Sequence, residues 1–127
     1  EYSAPKLENG EHISISHSKN LVAIIISKQK VGLDIEKISE KPLRLSSKFI
    51  SDNTHQNLTK EKATLIWCVK ECIFKLFQKG NIDFRKDITI EDFQIEKKGK
   101  INCKLRREKI IVNYQKIDNQ YLAYVCN

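Results

Sequence analysis

Methionine is absent from this 127-residue sequence, and it has only 4 glycines and 2 prolines. Such scarcity of the residues that punctuate loops excludes a collagenous or low-complexity chain. A content of 40% hydrophobic and 31% charged residues is that of a globular protein. Long apolar runs are missing as well, since the longest, Leu21 to Ile26, falls far short of the roughly 20 residues a bilayer span requires. No secretory signal is expected. The 4 cysteines have neither dense nor paired spacing, which excludes a disulfide framework and implies reduced thiols. The expected compartment is the cytoplasm. Without a methionine the chain has no initiator, so it reads as a fragment or processed piece. Its length fits one domain, residues 1–127, and leaves no room for a second full one.

What the chain does have is positive charge, a net +7. It is unevenly spread: residues 1–36 carry −1, residues 37–80 carry +5 and residues 81–127 carry +3. The basic middle third favours an anionic partner, whether nucleic acid, a phosphorylated ligand or an acidic protein surface.

The pattern of apolar residues predicts an α+β domain. Ile13 to Ser16 and Val31 to Glu36 alternate, and Leu21 to Ser27 is a continuous run suited to a strand buried on both faces. With Ser18-Lys19-Asn20 and Lys28-Gln29-Lys30 as turns, these form a three-stranded meander. A short helix is expected after Pro42, to about Ile50. A second begins with Thr59 as N-cap and lasts to about Gln78, stopped by Gly80. Leu65, Val69, Cys72 and Leu76, flanked by Ile66, Ile73 and Phe77, give it a core-facing stripe. Ile88/Ile90, Phe93/Ile95, Ile101/Cys103/Leu105, Ile110/Val112/Tyr114 and Tyr121/Ala123/Val125 all repeat at period two and read as four antiparallel strands. The expected fold is an antiparallel sheet with two helices packed on it.

Asp34 and Glu36 lie two apart on a strand and project from one face, with Leu33 and Ile35 on the other. Two carboxylates so placed repel, and either a solvated face or a divalent cation relieves them. Glu71 lies opposite the apolar stripe of the second helix, on the face of Trp67 and Lys75. Glu71 and Lys75 could be a simple surface ion pair. Trp67 fits that reading poorly, because a large aromatic on a polar face implies that something covers it. His17, between Ser16 and Ser18 at a strand end, is either structural or a phosphate contact. Cys68 and Cys72 are spaced for a metal but lack a second ligand pair with zinc spacing, and so read as core residues. Lys97-Lys98-Gly99-Lys100 reads as a solvated hairpin turn, without the interleaved aromatics of a nucleic-acid site.

Three elements in order resemble the 4'-phosphopantetheinyl transferase family: Ile13-Ser14-Ile15-Ser16-His17-Ser18, then Val31-Gly32-Leu33-Asp34-Ile35-Glu36, then Trp67-Cys68-Val69-Lys70-Glu71-Cys72-Ile73-Phe74-Lys75. The resemblance continues through Phe84 and the Ile88 to Phe93 stretch. It implies an enzyme that transfers phosphopantetheine from coenzyme A to a serine of an acyl or peptidyl carrier protein, a holo-[acyl-carrier-protein] synthase. By that resemblance Asp34, Glu36 and Glu71 would hold Mg2+, Glu71 or a water it orients would deprotonate the serine, and Lys75 would neutralise or protonate the departing 3',5'-ADP. Ser16, His17, Lys70 and Lys75 would contact coenzyme A. Arg44, Lys48, Phe49 and Ile50 would dock the acidic carrier, with Phe49 and Ile50 as an apolar patch ringed by Arg44 and Lys48.

The likeness is to the C-terminal half of the larger, two-half members, so residues 1–12 read as the remnant of a connection to an N-terminal half. That predicts self-association or attachment to the other half. A non-catalytic module recognising carrier protein or coenzyme A is the alternative, and neither a membrane nor nucleic acid is an expected partner.

Overall fold

β-Forming segments open the chain, and the computed structural model, which describes residues 7–51, 55–77 and 80–126, pairs the first two of them. Strands β1 (His12–His17) and β2 (Val22–Ser27) form an antiparallel ribbon in which Ile15 faces Ile24 and Ile13 faces Ile26. The third, β3 (Val31–Lys37), does not complete a meander with them. It instead forms a ladder with the last strand of the chain, at one edge of a separate sheet.

That sheet has five antiparallel strands in the order β3-β7-β6-β5-β4, where β4 is Ile88–Ile90, β5 Lys98–Leu105, β6 Glu108–Ile117 and β7 Gln120–Cys126. The four strands expected after the long helix are therefore present. Phe93 and Ile95 belong to the irregular segment before β5 rather than to a strand. The ribbon lies against the free edge of β3, where the Ser16 hydroxyl accepts a 3.0 Å hydrogen bond from the Ile35 N–H. An edge that would otherwise be open to pairing is thereby covered.

The expected burial of Leu21 to Ser27 on both faces is not what the structure shows. Val22, Ile24 and Ile26 point outward, 65%, 58% and 51% exposed, with Ile15 beside them. An unbroken apolar run gives no information on what lies against its second face.

Helix α1 (Glu40–Arg44) starts two residues before Pro42, and a single 3-10 turn, Ser46–Lys48, follows it in place of a helix continuing to Ile50. Helix α2 (Lys60–Phe77) begins as expected: the Thr59 hydroxyl accepts from the Lys62 N–H at 3.1 Å. Its expected last residue, Gln78, is outside the described residues, as are residues 1–6 of the expected lead-in. The stripe Leu65, Ile66, Val69, Cys72, Ile73 and Leu76 is buried against the sheet, where Ile88, Ile101, Val112, Tyr121 and Ala123 complete one core. Cys68 is part of that core as well, its thiol 3.4 Å from the Asp34 carbonyl and 3.6 Å from that of Tyr121.

Strand β3 is held closely against α2. The face bearing Gly32, Asp34 and Glu36 looks toward the helix, and a Cβ on Gly32 would lie 2.1 Å from the Cys72 carbonyl oxygen. Glycine is required by this approach. Among the described residues no helix is long and apolar enough to cross a membrane.

Candidate active site between β3 and α2

Because side chains alternate along a strand, Asp34 and Glu36 follow Gly32 onto the face of β3 that meets α2. Glu71 and Lys75, one helical turn apart, come from the opposing side. Asp34 is 5% exposed, and its Oδ1 is 3.1 Å from the Lys75 ammonium, which also donates to the Leu33 carbonyl at 2.9 Å. The other carboxylate oxygen, Asp34 Oδ2, is buried with no hydrogen-bond partner among the described residues.

Two half-buried carboxylates, Glu36 and Glu71, feel the charge of Asp34. Burial first, and then the Asp34 carboxylate, push Glu36 up to about 9, with Glu71 adding to the rise and Lys75 opposing it. Glu71 is also raised, by burial and then by Asp34, against the opposing pull of Lys75. One lysine thus serves three acidic groups. As they stand, no three metal-ligating side chains among the described residues converge closely enough to hold an ion. Asp34, Glu36 and Glu71 are close enough to act on one another's charge, and Lys75 occupies one oxygen of Asp34.

The raised Glu36 makes stability depend on pH. Folding lifts its pKa from 4.5 to about 9, so at neutral pH the folded chain keeps a proton that the unfolded chain has lost, and stability falls as pH rises. Between pH 7 and 8, above the histidine range, the loss is about 0.5–1 kcal/mol once screening of a half-buried group is allowed for, or roughly 2–4 °C in Tm. Glu36→Gln should flatten the slope in thermal melts at the two pH values. An unchanged slope would show that Glu36 is ionised in the folded chain.

Beside Glu36 opens a groove of about 490 Å3, lined by Lys37, Lys41, Lys48, Phe49, Trp67 and Phe84 among others. Trp67 is the floor, and the chain itself supplies the cover its position on the helix implied: Phe49 meets it edge-on with ring centres 5.1 Å apart and Phe84 at 5.3 Å. Lys37 and Lys41 were not singled out in the sequence. Their signal was the positive balance of residues 37–80.

The remaining candidates divide. Arg44 and Lys48 are exposed, as a docking rim needs. Phe49 and Ile50, expected as an exposed patch, are 4% and 9% exposed and belong to the core, because the 3-10 turn rolls them inward. His17 is exposed on the outward face of the ribbon, whereas Ser16 is buried against β3. Lys70, expected at the cofactor, is 2% exposed and faces the opposite way, giving hydrogen bonds to the carbonyls of Phe49, Phe84 and Ile88. Cys68 and Cys72 are fully buried thiols whose pKa burial raises far out of the ligating range.

Comparison with known proteins identifies the family of the chain. A sequence model of the 4'-phosphopantetheinyl transferase superfamily matches residues 30–126. The chain is 33% identical over 104 residues to the 4'-phosphopantetheinyl transferase gsp of Aneurinibacillus migulanus, covering 76% of this chain and 42% of that protein. It is 32% identical over 76 residues to the 4'-phosphopantetheinyl transferase psf-1 of Bacillus pumilus, covering 54% of this chain and 33% of that one. The match thus spans less than half the length of either relative.

Proposed function

Since the chain belongs to the 4'-phosphopantetheinyl transferase superfamily, we propose that it is the portion of such an enzyme that carries the transfer chemistry, moving phosphopantetheine from coenzyme A to a carrier-protein serine with release of 3',5'-ADP. The observation that carries this reading is the gathering of Asp34, Glu36, Glu71 and Lys75 between β3 and α2, with Glu36 also lining the groove over Trp67. Phosphoryl transfer needs little covalent chemistry from a protein. It needs positioning and charge.

The donor chemistry of the site suits a hard divalent cation, about which the three carboxylates would have to draw together, and Mg2+ is the one we infer. The buried Asp34 Oδ2 and the two carboxylates with raised pKa form an all-oxygen donor set for which Lys75 supplies a single positive charge. Bound there by Asp34, Glu36 and Glu71, the ion would neutralise the pyrophosphate of coenzyme A. The residues of the chain do the rest. Glu71, whose pKa is raised by burial and by Asp34, accepts the proton of the attacking serine hydroxyl, directly or through a water. Lys75 leaves Asp34 to meet the negative charge that develops on the departing 3',5'-ADP. His17, exposed at the end of β1, contacts the phosphates of coenzyme A, while Ser16 beside it ties the ribbon to β3.

The acidic carrier docks on the groove through the exposed cations Arg44 and Lys48, with Lys37 and Lys41 adding to the field, while Phe49 acts as a groove wall rather than a surface patch. The outward stripe of Ile15, Val22, Ile24 and Ile26 is the face for the remainder of a two-half enzyme, or for a second copy.

Incubation of the chain with coenzyme A, Mg2+ and an apo carrier protein, followed by mass spectrometry of the carrier, tests the reading. One added phosphopantetheine is the expected result. A carrier that is retained by the chain but never gains mass, even with the missing length of the relatives supplied, would establish instead a non-catalytic recognition module.

A further inference from the structure

We propose that Lys70 is a positioning residue, which sets the two aromatic walls of the groove on either side of Trp67. Its ammonium has three N–H donors and no acceptor, and it spends them on three backbone carbonyls: Phe49 at 2.5 Å, Phe84 at 2.7 Å and Ile88 at 2.7 Å. These carbonyls belong to three separate pieces of chain, the end of the 3-10 turn, the segment that follows α2, and the start of β4. Phe49 and Phe84 are the residues whose rings pack on Trp67 and line the groove. Lys70 and Trp67, three positions apart on α2, thus hold the same two phenylalanines, one by the backbone and the other by the ring.

The chemistry is specific. No carboxylate forms an ion pair with Lys70 among the described residues, so its direct partners, for a cation 2% exposed, are carbonyl dipoles, with Asp83 acting only at a distance. Burying a charge in this way is expensive, and filling the same space with an apolar chain would cost less if packing were the only requirement. A tetrahedral ammonium can reach three carbonyls that converge from different directions, whereas the planar fork of arginine cannot. The interaction fixes where Phe49 and Phe84 stand, and through them the width of the groove at its floor.

The inference rests on the reading that the groove receives the carrier end of the reaction. Its test therefore combines a readout of the free protein with a kinetic one. Trp67 is the only tryptophan, so its fluorescence reports on this spot alone. In Lys70→Met the unliganded protein should show red-shifted Trp67 emission and acrylamide quenching raised about twofold, as the walls relax. The KM for carrier should rise about tenfold with kcat within about threefold of wild type and the KM for coenzyme A unchanged. Lys70→Arg should fail in the same way. If Lys70→Met does not fold, Lys70→Gln, which keeps two N–H donors, is used with the same readouts.

A Trp67 signal and carrier KM that both stay at wild-type values would overturn the proposal. So would full function in Lys70→Arg, which would show that charge alone matters, or an effect confined to the KM for coenzyme A. A protein that modifies no carrier, yet whose Trp67 emission shifts in Lys70→Met, supports the wall role and counts against the transferase reading instead.

Discussion

Gly32→Ala should cost the chain about 3 kcal/mol or more, a large part of the total stability of a domain of this size. The added Cβ would meet the Cys72 carbonyl oxygen at 2.1 Å, the Leu76 nitrogen at 3.0 Å and the Cys72 carbonyl carbon at 3.1 Å. All three are backbone atoms of the last two turns of α2, and none can rotate away as a side chain would. Relief requires β3 and α2 to separate. That movement would also stretch the Lys75 bond to the Leu33 carbonyl and the Cys68 contact to the Asp34 carbonyl, which cross the same gap. A fall in Tm of more than about 10 °C, or loss of soluble protein, is the expected outcome of a thermal melt. A variant that melts within about 2 °C of wild type would mean that strand and helix lie farther apart than described.

Asp34→Ala should have the opposite profile, a small effect on the fold and a large one on the chemistry. Removing its carboxylate relieves the repulsion that lifts both Glu36 and Glu71. Lys75 loses a partner but is 22% exposed and keeps the Leu33 carbonyl, so it is not left as a buried, unpaired charge. The Tm of the variant should lie within about 3 °C of wild type. Transfer to carrier should drop by at least about a thousandfold, the scale of removing a group that organises charge in phosphoryl transfer. Any rise in Tm that Mg2+ gives the wild-type chain should vanish as well, because ligand binding stabilises only a fold that can bind it. Wild-type activity in Asp34→Ala would falsify the metal assignment. A collapse in Tm would instead make Asp34 a structural residue.

How much of this was legible in the sequence follows from the range of the interactions concerned. Helix α2 and strands β5 to β7 were readable because each carries a periodic signal within itself, and Asp34 and Glu36 could be assigned to one face by the same alternation. The ladder partner of β3 was not readable. Val31 to Lys37 pairs with Gln120 to Cys126, and nothing local distinguishes that arrangement from a hairpin with β2. Phe49 and Ile50 were misjudged for a related reason: a pair of apolar residues beside cations looks alike whether it turns outward as a docking patch or inward beneath a turn. Lys70 has the same sequence signature as a phosphate-binding lysine, and only the convergence of Phe49, Phe84 and Ile88 shows where its protons go. The need for glycine at position 32 arises only once the helix lies against the strand.

The pairing of β3 with β7 also sets when the site can exist during synthesis. A ribosome makes the strand bearing Asp34 and Glu36 early, and about ninety residues later it releases the strand that completes the ladder, so the nascent chain must carry β3 without its sheet neighbour through most of translation. Helix α2 and the β1–β2 ribbon are available to hold it in the meantime, because both emerge near it in the sequence. Until Gln120 to Cys126 are free to pair, the ladder edge of β3 has no strand beside it, and a ribosome that stalls before that point leaves that edge exposed next to Asp34 and Glu36.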